Sequence, residues 1–309
     1  MEVINLQYND SLKYNDLVVA LGFFDGVHTA HQTLLNQTLL IAKNYNKKAA
    51  MMTFSTHVLS FIQKQEFRHL TNLDEKAKIA QKLGFDYLFV FEVSSELINL
   101  EPEEFISRFL HSAYTVVVGF DFTFGRKGKG NVELLKASQQ FNTIVLDEMT
   151  YDSEKIGSTR IRQAVEEGHI ELANELLGYR YTISGEVVKG RGRGKYLGFP
   201  TANIDYDGYL LPKPGVYITS IFIDEIEYQS MANIGNNPTF SNKDVTFEVN
   251  VFKWNHSLYG KTVSVAFEKY LREEIKYDST SELVERMHID EQETLDYFKK
   301  KRLYHEKSQ

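Results

Sequence analysis

Two histidines three residues apart, His28 and His31, sit in the stretch FDGVHTAH, directly after the apolar run LVVALGF and before LLNQTLLIA. Histidines at i and i+3 share one helix face. A helix N-terminus adds free backbone N–H groups that favour an anion. An isolated pair of this kind is by default structural, one histidine capping the helix and the other on the surface. Metal binding is the weaker alternative, because no third histidine or carboxylate lies nearby at ligand spacing. The anion reading gains from two later stretches. FGRKGKGN (124–131) is a glycine-rich loop with three basic side chains. IGSTRIR (156–162) opens a helix with Ser158 and Thr159 and then presents Arg160 and Arg162. Hydroxyls and main-chain N–H groups at a helix start, with an arginine one turn on, suit a polyphosphate.

A second group of candidates lies beyond residue 180. In KGRGRGKYLGFPTANI (189–204), Gly190, Gly192 and Gly194 alternate with basic residues. This is not a Walker A loop, since Lys195 is followed by Tyr196 rather than Ser or Thr. A flexible basic turn held by Phe199 and Pro200 is the plain alternative. Thr201 and Asn203, however, alternate on one strand face, where a hydroxyl and an amide could bind Mg²⁺ and nucleotide phosphates. In DVTFEVNVFKW (244–254), Val245, Phe247, Val249 and Val251 share one face, with Thr246, Glu248 and Asn250 on the other. Glu248 is then either an ordinary solvent-facing glutamate or a carboxylate that accepts a proton from an attacking hydroxyl. Periodicity alone leaves both open.

The elements that must position these residues change rhythm along the chain. Up to about residue 150, apolar runs at 17–24, 49–54, 87–93, 115–122 and 142–149 alternate with helix-like segments. That pattern predicts a Rossmann-like α/β domain with a parallel sheet covered on both faces. Ligands in such sheets bind beyond the carboxyl ends of strands, where strand order reverses. From about residue 180, alternating runs at 181–190, 215–224, 226–235, 245–253 and 261–271 follow without intervening helices, which predicts an antiparallel β-barrel or sandwich. A terminal amphipathic helix is expected over 281–301, with Leu283, Met287, Leu295 and Phe298 as its apolar stripe. ELANELLGYRY makes a plausible hinge, so the domains are expected at 1–180 and 181–309.

Composition narrows the function class. A net charge of −7 over 309 residues argues against a general nucleic-acid or membrane-surface binder. The absence of cysteine rules out disulfides, thiolate zinc sites and a cysteine nucleophile, and it suits a reducing cytoplasm. No stretch approaches the length of a membrane span, and the first residues lack a signal-peptide pattern. A soluble cytoplasmic protein with small-molecule partners is expected; oligomeric state is not legible.

Both groups of motifs carry a resemblance. GFFDGVHTAH resembles the G-x-F-D-G-x-H-x-G-H signature of the HxGH nucleotidylyltransferases, and IGSTRIR resembles their I-S-S-T-x-x-R segment. MTFSTH (52–57), LDEKAKIAQKLGFDY (73–87), EPEEFISRFL (101–110) and VVGFDFTFGRKGKGN (117–131) resemble one subgroup, the adenylyltransferase half of bacterial bifunctional riboflavin kinase/FAD synthetases. GEVVKGRGRGKYLGFPTANI, PKPGVY, ANIGNNPTF, FEVNVFKW and LREEIKYDSTSEL follow one another as in the flavokinase domain. The resemblance spans roughly residues 15–305.

It implies an N-terminal nucleotidylyltransferase-like domain of the HxGH type that joins FMN to ATP, giving FAD and pyrophosphate. It also implies a C-terminal flavokinase β-barrel that phosphorylates riboflavin, with Mg²⁺ at both steps. On this reading His28 and His31 contact the ATP phosphates. Gly22, Phe24, Asp25 and Gly26 belong to the nucleotide-binding turn, and Ser158, Thr159 and Arg162 hold the pyrophosphate. Thr201 and Asn203 bind Mg-ATP under a flap containing Gly190, Gly192 and Gly194. Glu248 is the base for the ribityl hydroxyl, and Arg272 sits on a loop closing over the flavin. The sequence departs from the family pattern at Ala30, where glycine is usual, at Gly157, where serine is usual, and at Asn250, where histidine is usual. The alternatives are a riboflavin kinase whose first domain is impaired and a flavin-binding regulatory protein.

Overall fold

The computed structural model describes residues 1–190, 193–236 and 245–307, so Gly192 lies outside the described residues. The chain forms two compact units, Met1–Arg160 and Ile161–Gln309. The division falls inside the helix Ser158–Glu167, and the helix Ile170–Leu177 groups with the second unit.

The first unit is built on six parallel strands. They lie in the order Glu2–Leu6, Tyr87–Phe91, Lys48–Phe54, Leu17–Leu21, Ala113–Gly119, Asn142–Leu146. Successive residues of Leu17–Leu21 feed two different cores: Leu17, Val19 and Leu21 pack on one face, Val18 and Ala20 on the other. That is why the run reads as continuously apolar rather than alternating. Chain order runs outward from Leu17–Leu21 to Lys48–Phe54 and Tyr87–Phe91, then returns to Ala113–Gly119 on its other side. The order therefore reverses beside Leu17–Leu21, and FDGVHTAH follows that strand's carboxyl end. The strand Glu2–Leu6 was not foreseen; it pairs with one neighbour and is mostly exposed, so EVINL carries no buried-strand signature.

The second unit is a closed antiparallel barrel, strand by strand Thr182–Val188, Thr201–Asp205, Val245–Val251, Ile226–Asn236, Gly215–Ile223, Thr262–Arg272. Phe247 and Val249 are buried and Phe247 stacks on Phe267 at 5.6 Å, so the alternation read in TFEVNV holds. The terminal helix runs Thr280–Lys307. Met287 and Leu295, joined by Val284, pack against a cluster of Phe199, Met231 and Phe252.

Candidate active sites

The turn after Leu17–Leu21 is tightly bent. Phe24 adopts φ +55° and Gly26 φ +79°, a left-handed region that glycine enters freely and phenylalanine does not. The bend is held by contacts from distant segments. Asp25 is 2% exposed, and its Oδ1 accepts from the backbone N–H of Leu70 at 2.9 Å and of Thr71 at 3.4 Å. Ser158 Oγ donates to the Asp25 carbonyl at 2.8 Å. This bond brings the IGSTRIR helix start onto the histidine turn, the juxtaposition that the motifs require. Gly22 enters the turn with its N–H on the Met52 carbonyl at 3.2 Å.

His28 is the N-cap of the helix Thr29–Asn44: its Nδ1 accepts from the His31 N–H at 3.4 Å. The capping role is thus real, yet His28 is 4% exposed and His31 half-buried, so neither is a surface histidine. Their rings stack at 3.6 Å with an 18° tilt. Burial holds the His28 imidazole down to about 4, against the pull of Asp25. Burial, then the fields of His28 and Lys76, holds His31 well below the ordinary range. Both rings are therefore neutral at pH 7 and can present N–H groups without the repulsion of two adjacent cations. The Nδ1 atom of His31 is shielded from solvent and has no hydrogen-bond partner.

Other basic groups are distributed differently from the sequence expectation. Arg126 and Lys129 of the glycine-rich loop both pair with Glu101, at 3.0 and 3.4 Å. Much of that loop's charge is thereby matched locally. Arg160 donates to the carbonyls of Tyr151 and Glu154 and pairs with the Glu154 carboxylate at 3.0 Å, which fixes a short hairpin. Thr159 is exposed beside Ser158, and Arg162 stands one turn on in the same helix. A Cβ built at Gly157 meets nothing closer than Lys155 Cε at 3.8 Å, so the glycine there is not required by packing.

The second candidate site is a rung across the barrel. Register pairs Val188 with Asn203, Asn203 with Glu248, and Glu248 with Asn233. The rung continues through Val216 to Arg272. Directly opposite residues project to the same side of a sheet, so Asn203, Glu248, Asn233 and Arg272 lie in one row. Thr201 Oγ1 donates to Glu248 Oε2 at 3.2 Å. Asn250, next on that face, donates through Nδ2 to the Pro200 carbonyl at 2.8 Å and thereby fixes the entry to the Thr201–Asp205 strand. Gly190 is needed for close approach: a Cβ there would lie 2.1 Å from Asn203 Nδ2. The Gly194 carbonyl accepts from the N–H groups of Leu197 and Phe199, closing the turn ahead of Thr201.

Arg272 is the last residue of its strand, not part of the following loop. Its guanidinium grips Asp290 of the terminal helix, with Nη2 at 2.6 Å and Nε at 2.9 Å from the carboxylate oxygens. Arg286 reaches the same carboxylate at 2.9 Å. On the same strand the buried Glu268 accepts from Arg180, Tyr297 and Lys301. Hydropathy patterning could not have found Asp290 or Glu268, because both are charged residues that the fold buries.

Thr201, Asn203 and Glu248 bring together hard oxygen donors: a hydroxyl, an amide and a carboxylate. This donor set fits Mg²⁺, which takes one or two protein oxygens and completes its shell with water and phosphate. Among the described residues, no group of three or more His, Cys, Asp or Glu is placed to hold a metal ion unaided. No helix among the described residues is long and apolar enough to cross a membrane.

Comparison with known proteins divides the chain in the same way. Residues 11–160 match the family model for FAD synthetase, and residues 177–298 that for riboflavin kinase. A Listeria monocytogenes protein described as bifunctional riboflavin kinase/FMN adenylyltransferase is 39% identical over 292 residues, covering 92% of this chain and 93% of its own. The Bacillus subtilis protein of the same description is 34% identical, covering 91% and 92%. A Streptococcus pneumoniae crystal structure described as a macrolide-efflux protein superposes with a TM-score of 0.86 at 33% identity, covering 94% of this chain and 98% of its own.

Proposed function

The chain belongs to the bifunctional riboflavin kinase/FMN adenylyltransferase family, and from that premise we propose that it makes FMN from riboflavin and then FAD from FMN, consuming ATP at each step. The division of labour falls at residues 1–180 for adenylylation and 181–309 for phosphorylation. The observation that carries the reading is the hydrogen bond from Thr201 to Glu248, which stands directly opposite Asn203, because it joins a phosphate-and-metal ligand set to a proton acceptor.

In the barrel, the 5′-hydroxyl oxygen of riboflavin attacks the γ-phosphorus of ATP. The bond to the β–γ bridging oxygen breaks, ADP leaves, and the hydroxyl proton passes to Glu248 and on to solvent. Thr201 and Asn203 would hold Mg²⁺, which when bound neutralises charge on the phosphate oxygens. Gly190 and Gly194 belong to the flap proposed over the nucleotide, and Arg272, on the Glu248 rung, is the residue proposed for the flavin.

In the α/β unit, a phosphate oxygen of FMN attacks the α-phosphorus of ATP, and pyrophosphate leaves from the opposite side. The protein's work is to orient the phosphates and stabilise their spreading charge. His28 and His31 donate from the turn built by Gly22, Phe24, Asp25 and Gly26, while Ser158, Thr159 and Arg162 hold the pyrophosphate. The partners are riboflavin, FMN and ATP, with no nucleic acid or membrane, and the setting is the cytoplasm.

Purified protein supplied with riboflavin, ATP and Mg²⁺, with products separated by chromatography, tests this directly. FAD is the expected product. FMN alone would leave a monofunctional kinase, and tight flavin binding with neither product would leave a regulator.

A further inference from the structure

One buried charge in the first unit is used by none of these steps. Lys76, in the helix Leu73–Leu83, is 1% exposed. Lysine is almost never buried to that degree, because desolvating an ammonium is costly. Its place in the helix adds to the cost. Asn72 and Glu75 form a capping box at the N-terminus, and Lys76 follows at once, where the helix dipole disfavours a cation. Helix stability therefore does not explain this residue.

Its contacts point to the histidine turn. Lys76 Nζ donates to the Phe23 carbonyl at 2.8 Å and lies 4.0 Å from the centre of the Phe23 ring. The same carbonyl accepts from the Oγ1 of Thr53, itself fully buried, at 2.9 Å. Phe23 is the last residue before the left-handed bend at Phe24. Two donors from two other segments, a strand and a helix, thus clamp the carbonyl from which the bend departs.

We propose that Lys76 is a positioning residue for adenylyl transfer: acting through the Phe23 carbonyl, its buried ammonium sets the turn that carries His28 and His31. This rests on the adenylyltransferase reading above. A fixed positive charge behind the turn also favours an anion in front of it. The same charge bears on His31, together with burial and His28; Asp25, Lys155 and Asp121 act on His28 in turn. Lys76 thereby helps to keep His31 unprotonated.

The test is Lys76→Met in the full chain, which keeps the apolar stem and removes the ammonium. The kcat for FAD formation from FMN should fall at least about tenfold, the scale on which small misplacements act. Riboflavin phosphorylation by the same sample should stay within about twofold of wild type. Imidazole NMR should show His31 titrating at a higher pH than in wild type. Thr53→Val, which removes the other donor to the carbonyl, should lower the same kcat by less; if Lys76→Met does not fold, this variant decides. Two results overturn the proposal: an unchanged kcat per folded molecule, or a reduced kcat with an unmoved His31 titration, which would reduce Lys76 to a packing role. Should the wild type make no FAD at all, the adenylyltransferase reading fails by itself, and the His31 titration still decides whether Lys76 sets the turn.

Discussion

The two units present phosphate-handling groups in opposite ways. In the α/β unit the candidate groups stand on a bent turn whose shape is imposed from afar, by Leu70, Thr71 and Ser158 on Asp25 and by Lys76 and Thr53 on Phe23. In the barrel, Asn203 and Glu248 are fixed by strand register, with Thr201 one ladder step away. A register row tolerates change at residues off the row, whereas a turn clamped at several points depends on every clamp. The barrel site should accordingly fail at few positions and steeply, and the turn at many positions and by degrees.

The steepest expected loss tests the first half of that contrast. Glu248→Gln keeps shape and removes the base, and should lower FMN formation at least about a hundredfold. FAD formation from supplied FMN should be unaffected. Near-normal phosphorylation would remove Glu248 from the mechanism.

Next in size is Gly190→Ala. Its methyl would collide with the Asn203 amide, and overpacking of this kind costs about 1–3 kcal/mol. Phosphorylation should fall by roughly ten- to a hundredfold through loss of the Asn203 position. Full activity would mean that the glycine loop moves away as a whole.

Acid should separate the units. His28 titrates near 4 when folded and near 6.5 when unfolded. The unfolded chain therefore binds the extra proton between those values. The His28 contribution to the first unit's stability is lost as pH drops from 6.5 to 4, and the likewise depressed His31 adds a loss of the same sign. His28→Asn keeps an N-cap acceptor and should lessen this slope, leaving the part due to His31. The chain has one tryptophan, Trp254, in the barrel unit. Circular dichroism should register the change while Trp254 fluorescence does not. Equal changes in both signals would show that the units unfold together.

The smallest effects are expected at two departures from the family pattern. Gly157→Ser has room for its side chain and should alter stability by no more than about 0.5 kcal/mol. If Ala30 crowds the nucleotide, Ala30→Gly should raise FAD formation without touching phosphorylation. An unchanged rate would show that the methyl is tolerated.

Legibility followed the same divide. Thr201, Asn203 and Glu248 could be placed on strand faces from alternation alone, because register is periodic and local. The turn at 24–31 could be located but not shaped, since its clamps lie 30 to 133 residues away in sequence and leave no local trace. Lys76 read as one more lysine of an amphipathic helix. The strand Glu2–Leu6 escaped because an exposed edge needs no apolar pattern. Of the stripe Leu283, Met287, Leu295 and Phe298 that marks the terminal helix, Met287 and Leu295 pack on the barrel cluster; its ion pairs with Arg272 and Glu268 leave no trace in hydropathy, which does not register a buried carboxylate.

Those attachments bear on how the protein can be handled. Cutting the chain before Thr280 would strip Asp290 from Arg272 and remove both Tyr297 and Lys301 from Glu268. Glu268, 4% exposed in the intact chain, would then keep, among the described residues, Arg180 and Ser220 as partners. Shortened versions that end at the last barrel strand should be poorly soluble, so any attempt to isolate the barrel must carry its closing helix with it.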